Sequence, residues 1–148
     1  MNEAETKVGA KIIDGKAVAA EVRERVGAQA AEFTSATGHT PGLATVLVGD
    51  DPASQIYVAN KHKASEEAGM RSLHHGLGAE TSEAELLELV ERLNGDDEVD
   101  GILVQLPLPV QHDQDDVIAR IDAAKDVDGL TATSAGLLAQ GRPGLVPC

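Results

Sequence analysis

Leu43-Ala44-Thr45-Val46-Leu47-Val48-Gly49-Asp50-Asp51-Pro52 carries the reading of the fold. The run from Leu43 to Val48 is of strand length, and its lack of polar alternation suits a strand buried on both faces. Gly49-Asp50-Asp51 turns the chain, and Pro52 suits the first turn of a helix, where its missing N–H costs nothing. The helical pattern that follows reaches about Ala68, and Gly69 stops it.

Upstream, Ile12-Ile13-Asp14-Gly15 reads as a turn into a long helix from Lys16 to Thr37, with Val18, Val22, Val26 and Phe33 along one face. Gly38, Pro41 and Gly42 end it. Downstream, Arg71 to Leu77 is a weaker strand, and Thr81-Ser82 caps a helix whose apolar stripe is Leu86, Leu87, Leu89, Val90 and Leu93. Gly101 to Leu106 is a third strand, stopped by Pro107 and Pro109. A short helix from Asp115 to Ile121, the acidic loop Lys125-Asp126-Val127-Asp128-Gly129 and a small helix near Ala135 to Ala139 follow. Strands alternating with helices require right-handed crossovers and a parallel sheet covered on both sides, so the expected fold is a single α/β domain. No repeat, low-complexity tract or linker interrupts it.

The 148 residues suit one domain with one core. Phe33 and Tyr57 are the only aromatic residues, so the core is aliphatic. A formal charge of −13 repels phosphate backbones and anionic membranes, which argues against nucleic acid or a membrane surface as partner. The single cysteine, Cys148, permits no intrachain disulfide and no zinc framework, which fits a reducing, cytoplasmic setting. Met1 to Val8 lacks the apolar core of a signal peptide.

In open parallel sheets the ligand crevice lies beyond the carboxyl ends of the strands. There the sequence offers the Asp50 loop with Ser54, Tyr57 and Lys61 after Val48, Gln105 after Val104, and Asp126 with Asp128 near the end. At about 100° per residue Ser54, Tyr57 and Lys61 share one helix face with Val58, Ala64, Ser65 and Ala68, while Lys63 lies opposite. A lysine partly withdrawn from water has its charged form disfavoured, which suits proton transfer near neutral pH. The competing reading is a stem along apolar surface with its ammonium in water. Tyr57 fits a ligand contact or plain packing, Gln105 a site or a sheet edge, and the two aspartates a ligand or a turn before Gly129.

His74 and His75 are adjacent on a strand and face opposite ways, which defeats joint metal binding, and no metal site is expected. Gly76-Leu77-Gly78 does not continue as a dinucleotide fingerprint, and no phosphate-cradling loop is visible. Ser54 lacks a supporting histidine and carboxylate for hydrolase chemistry.

Three motifs in order resemble the bifunctional methylenetetrahydrofolate dehydrogenase/methenyltetrahydrofolate cyclohydrolases. They are Val48-Gly49-Asp50-Asp51-Pro52-Ala53-Ser54 leading to Tyr57 and Lys61, Val104-Gln105-Leu106-Pro107-Leu108-Pro109, and Lys125 to Gly129. The resemblance implies a three-layer α/β/α domain with a small, mainly parallel sheet, like the N-terminal domain of amino acid dehydrogenases. It implies a polar lead at 1–10 and a folate-binding catalytic domain at 11–148, with the nucleotide-binding domain absent from this chain. By the same resemblance Lys61 moves protons, Gln105 hydrogen-bonds its amine and helps keep it neutral, Tyr57 packs on the folate, Asp128 accepts from the amino-pyrimidine end, and Ser54 is a supporting contact. The family oxidises 5,10-methylenetetrahydrofolate with NADP, or NAD in some members, hydrolyses the methenyl product to 10-formyltetrahydrofolate, and forms homodimers. NADP would bind in the nucleotide domain, so hydride transfer by this chain alone is not expected. A folate-binding module without turnover and a single-activity cyclohydrolase or dehydrogenase are the alternatives. Family members commonly carry asparagine where Ser134 stands.

Overall fold

The computed structural model describes residues 13–147; Ile12, the lead at 1–10 and Cys148 lie outside the described residues. Chain order is α1 (Gly15–Thr37), β1 (Gly42–Val48), α2 (Pro52–Glu67), β2 (Arg71–Leu77), α3 (Glu83–Asn94), β3 (Gly101–Val104), α4 (Gln114–Arg120) and α5 (Ala132–Ala139). The strands form a parallel sheet in the order β2-β1-β3. The apolar run is the central strand, covered on both faces. β2 and β3 are the edges, and β2 has exposed and half-buried residues alternating near its end.

Alternation along the strands sends residues to two layers. Ala44, Val46, Val48, Ile102 and Val104 pack against Leu86, Leu89, Val90 and Leu93 of α3 and Val117 of α4, forming the main core. On the other face Leu43 and Leu103, with Val22 and Val26 of α1, Ala64 of α2 and its C-cap Ala68, line a hollow of about 240 Å³ between the sheet and the helices. The domain is thus the three-layer α/β/α arrangement expected. α3 begins with a reciprocal capping box, in which Ser82 accepts from Glu85 N–H and the Glu85 carboxylate accepts from Ser82 N–H. That carboxylate sits below its ordinary range through the Ser82 hydroxyl and N–H it accepts from.

Two boundaries and the cover of one helix add to the sequence reading. α5 starts at Ala132, ahead of Ala135, because Thr131 caps it by accepting from Ser134 N–H. β3 ends at Val104, ahead of Leu106, although Gln105 N–H still donates to Val46 O at 2.8 Å. The apolar face of α1 is real but mostly uncovered: Val18, Val22 and Phe33 are exposed and Ala30 alone is buried. α1 approaches the domain closely near Gly27, where an added Cβ would lie 3.7 Å from Ala68.

Candidate active site

The site forms where α2 passes the carboxyl end of β3. Asp51 caps α2 by accepting from Ser54 N–H at 2.8 Å, which fixes the rotation of the helix about its axis. The same backbone N–H, followed by the Ser54 hydroxyl, holds the Asp51 carboxyl below its ordinary range. Val58, Ser65 and Ala68 define the buried meridian of α2. Lys61 lies beside that meridian, half-buried, and Lys63 is exposed with Glu67 for a partner. Tyr57 sits farther round the helix and is 61% exposed, whereas Ser54 is 4% exposed. The shared face is therefore graded, from buried serine through half-buried lysine to open phenol.

Lys61 runs its stem past Ala64 and Leu103 and donates from Nζ to Gln105 Oε1 at 2.8 Å. Gln105 donates its own Nε2 hydrogen to Leu106 O at 2.8 Å, so its amide cannot reverse without losing that bond. The oxygen is thereby aimed at the lysine. An amide oxygen accepts from a lysine nitrogen in either protonation state, unlike a carboxylate, which would favour the ammonium.

Asp128 completes the cluster. It is half-buried, and burial pushes its carboxyl above the ordinary range; the Lys61 charge opposes this and Asp126 reinforces it. A carboxylate held out of water beside a cation is a strong acceptor for a planar donor edge. The two aspartates of the loop thus do different things. Asp126 is 1% exposed and accepts from Thr131 N–H, Leu130 N–H and Ser134 Oγ. Burial alone would raise its carboxyl; the hydrogen bonds from Thr131, Ser134 and Leu130 outweigh that and hold it lowered. Ser134 satisfies the local hydrogen bonding without an asparagine.

The structure joins Lys61 directly to Gln105, with Asp128 near enough to feel the Lys61 charge and Tyr57 one turn away on α2. Ser54, whose N–H donates to the capping Asp51 carboxylate, is buried. Sequence reading named Asp126 as a ligand or turn residue but not as a buried acceptor for the start of α5, since these roles look alike in one dimension. The available signal was its spacing from Thr131 and Ser134, both donors at a helix start.

A crevice of about 460 Å³ lies beyond the strand ends, with Val48, Asp50, Ala79 and Pro107 among its walls. A larger hollow of about 600 Å³ lies on the opposite flank of α2, between His62 and His74, and includes none of the Lys61 cluster. His74 Nδ1 faces Thr45 Oγ1 at 3.4 Å, while His75 shares the strand face of Leu73 and Leu77, so the pair does point to opposite layers. Among the described residues no group of three metal-ligating side chains occurs, and no helix is long and apolar enough to cross a membrane.

A dinucleotide does not fit the described residues. The α2 start follows β1 as a phosphate-binding turn would, but the Asp51 carboxylate already takes the Ser54 N–H there and would repel a pyrophosphate.

The sheet defines the class: a parallel α/β domain with a crevice beyond the carboxyl ends of its strands, whose walls do not include Lys61, Tyr57, Gln105 or Asp128. The family is more specific. Residues 13–128 match the tetrahydrofolate dehydrogenase/cyclohydrolase catalytic domain, and the chain belongs to that family. It is 61% identical over 140 residues to bifunctional protein FolD 3 of Rhizorhabdus wittichii, covering 95% of this chain and 46% of that protein. The crystal structure of the bifunctional FolD enzyme of Campylobacter jejuni aligns with TM-score 0.87 at 44% identity, covering 91% of this chain and 48% of that one. The Trypanosoma brucei dehydrogenase-cyclohydrolase, complexed with NADP cofactor and inhibitor, aligns with TM-score 0.89 at 34% identity, over 94% of this chain and 48% of that one. The chain spans about half the length of the relatives it matches.

Proposed function

We propose that residues 11–148 are the folate-binding catalytic domain of a cytoplasmic methylenetetrahydrofolate dehydrogenase/methenyltetrahydrofolate cyclohydrolase. The complete enzyme, a homodimer, oxidises 5,10-methylenetetrahydrofolate with NADP and hydrolyses the methenyl product to 10-formyltetrahydrofolate. The observation that supports this best is the Lys61 nitrogen held 2.8 Å from Gln105 Oε1, with Asp128 close enough to feel its charge.

The methenyl bridge is a cationic carbon between two nitrogens. Water adds its oxygen to that carbon and gives one proton to Lys61 Nζ in its amine form. The same proton passes to the ring nitrogen as its bond to the bridge carbon breaks. The second water proton leaves to solvent as the carbonyl forms, and the formyl group stays on the exocyclic nitrogen. Gln105 orients Nζ, Asp128 accepts hydrogen bonds from the amino-pyrimidine edge, and the open ring of Tyr57 offers a flat surface to the pterin. Ser54 supports the start of α2.

Methenyltetrahydrofolate hydrolysis is to be followed by loss of its absorbance, in the protein expressed from its own gene and in Lys61→Met. Loss of turnover in the variant, with a folate analogue still bound in calorimetry, is expected. Unchanged turnover removes Lys61 from the mechanism, binding without hydrolysis by the unaltered protein leaves a binding module, and absence of binding sinks the folate reading.

A further inference from the structure

We propose that Asp126 is a positioning residue for this site: its buried carboxylate, bound to the start of α5, fixes the turn that carries Asp128. The inference rests on the reading of Asp128 as the carboxylate that meets the pterin.

Four residues of the turn Lys125 to Gly129 are fastened independently. Lys125 donates from Nζ to Leu93 O at 3.1 Å and Asp96 O at 2.8 Å, tying the turn to the end of α3. Ile102 N–H donates to Lys125 O at 2.7 Å, and Ile102 pairs with Asp126 in a parallel bridge, which ties it to the sheet. Val127 lies so close to Gly101 that a Cβ there would meet its Cγ1 at 2.4 Å. Gly129 has φ +68°, and a Cβ on it would lie 2.9 Å from Leu145 O. Asp128 is the remaining residue, and the charges that act on it are those of Lys61 and Asp126.

The partners of Asp126 explain why an aspartate stands there. Its oxygens meet only donors: Leu130 N–H at 3.2 Å, Thr131 N–H at 2.8 Å and Ser134 Oγ at 2.8 Å. An acceptor-only group fits, and an amide would set an N–H against a donor. Capping alone does not require it, because Thr131 Oγ1 already accepts from Ser134 N–H at 3.3 Å. A buried charge is costly unless every oxygen is paired, so a carboxylate retained beside a sufficient cap points to work on the turn.

A double-mutant cycle on the protein expressed from its own gene tests this, with a non-hydrolysable bridged folate analogue titrated by calorimetry. Asp126→Asn is expected to weaken binding about tenfold, the loss of one charge-assisted hydrogen bond. In hydrolysis it raises KM and leaves the pH profile of kcat unmoved, because the Lys61–Gln105 pair is untouched. Combined with Asp128→Ala, it adds less than about twofold to the loss of Asp128→Ala alone. Losses that multiply, or wild-type binding by Asp126→Asn, overturn the proposal. Asp128→Ala binding like wild type instead overturns the reading beneath it, and the proposal falls for that separate reason. Should Asp126→Asn not fold, Ser134→Ala reads the same coupling: about a threefold loss is expected, absent when Asp128 is alanine, and multiplied losses refute it.

Discussion

Lys61 Nζ and Gln105 Oε1 lie 2.8 Å apart although 44 residues separate them in the chain. The contact joins a helix face to the end of a strand, two elements that pair neither with each other in the sheet nor through a shared loop. Its consequence is a lysine nitrogen with one hydrogen committed to a fixed amide oxygen. Lys61→Met is expected to lower methenyl hydrolysis by about 100-fold or more, the range for a lost general base, with analogue affinity kept within a few-fold. Gln105→Ala leaves the amine in place but unaimed, and about a tenfold fall in kcat follows. Initial rates and calorimetry on the two variants read both effects; equal rates in Lys61→Met and wild type would refute the assignment.

Tyr57 separates binding from stability. Its ring is 61% exposed, so the domain gains little from it when empty. Tyr57→Ala is expected to change thermal stability by less than about 0.5 kcal/mol, as exposed positions do. Analogue binding should weaken by about 0.5–1.5 kcal/mol, the worth of a ring stacked on another flat system. Tyr57→Phe keeps the stacking surface and should bind nearly as wild type. A large fall in melting temperature for Tyr57→Ala would make the residue structural.

Much of this arrangement was legible in the sequence, for identifiable reasons. The run Leu43–Val48 lacked polar alternation, which suits a strand covered on both faces; the stripe of α3 had helical spacing and its own capping residues. The strand-end rule singled out Lys61 and Gln105 separately, and their contact was implied by the family resemblance rather than by spacing. The apolar residues Val18, Val22, Val26 and Phe33 recur along one face of α1, yet that face is largely open, since periodicity reports amphipathicity and not what covers the face. Asp126 and Asp128 were indistinguishable as letters. They diverge only when Thr131 and Ser134 return against one of them, a contact made by a helix start that the sequence reading placed too late.

His75 makes stability depend on acid. Its ring faces the α3 layer; burial pushes its pKa down, the charges of His74 and Arg92 add to this, and Asp96 opposes it. Among the described residues Nε2 is buried without a partner. Folded His75 titrates below the ordinary value of 6.5 and the unfolded chain titrates near it, so unfolding takes up a proton as pH falls through that window. Stability is present above the window and is lost on acidification. His75→Leu removes this contribution while suiting the apolar layer, and its melting temperature should fall less steeply than wild type from neutral to about pH 5. Parallel melting curves for the two proteins would dismiss His75 as a source of the dependence.

Asp128 works in the opposite direction, and the sign distinguishes a binding carboxylate from a structural one. Burial raises its pKa above the ordinary 3.8, against the pull of Lys61. The unfolded chain therefore loses its proton first as pH rises, and the folded state becomes less favoured until folded Asp128 has also ionised. Above that point the ionised group opposes folding, which no side chain kept for stability would do. Asp128→Asn is expected to melt at a higher temperature than wild type at neutral pH. It should also bind the folate analogue about 10-fold to 100-fold more weakly, the cost of exchanging a charged acceptor for a neutral one. Wild-type binding should fall on acidification with a midpoint above the ordinary aspartate value, and Lys61→Met, which removes the opposing charge, should move that midpoint higher still. A variant that loses stability and binding together would instead place Asp128 with Asp126, as part of the frame.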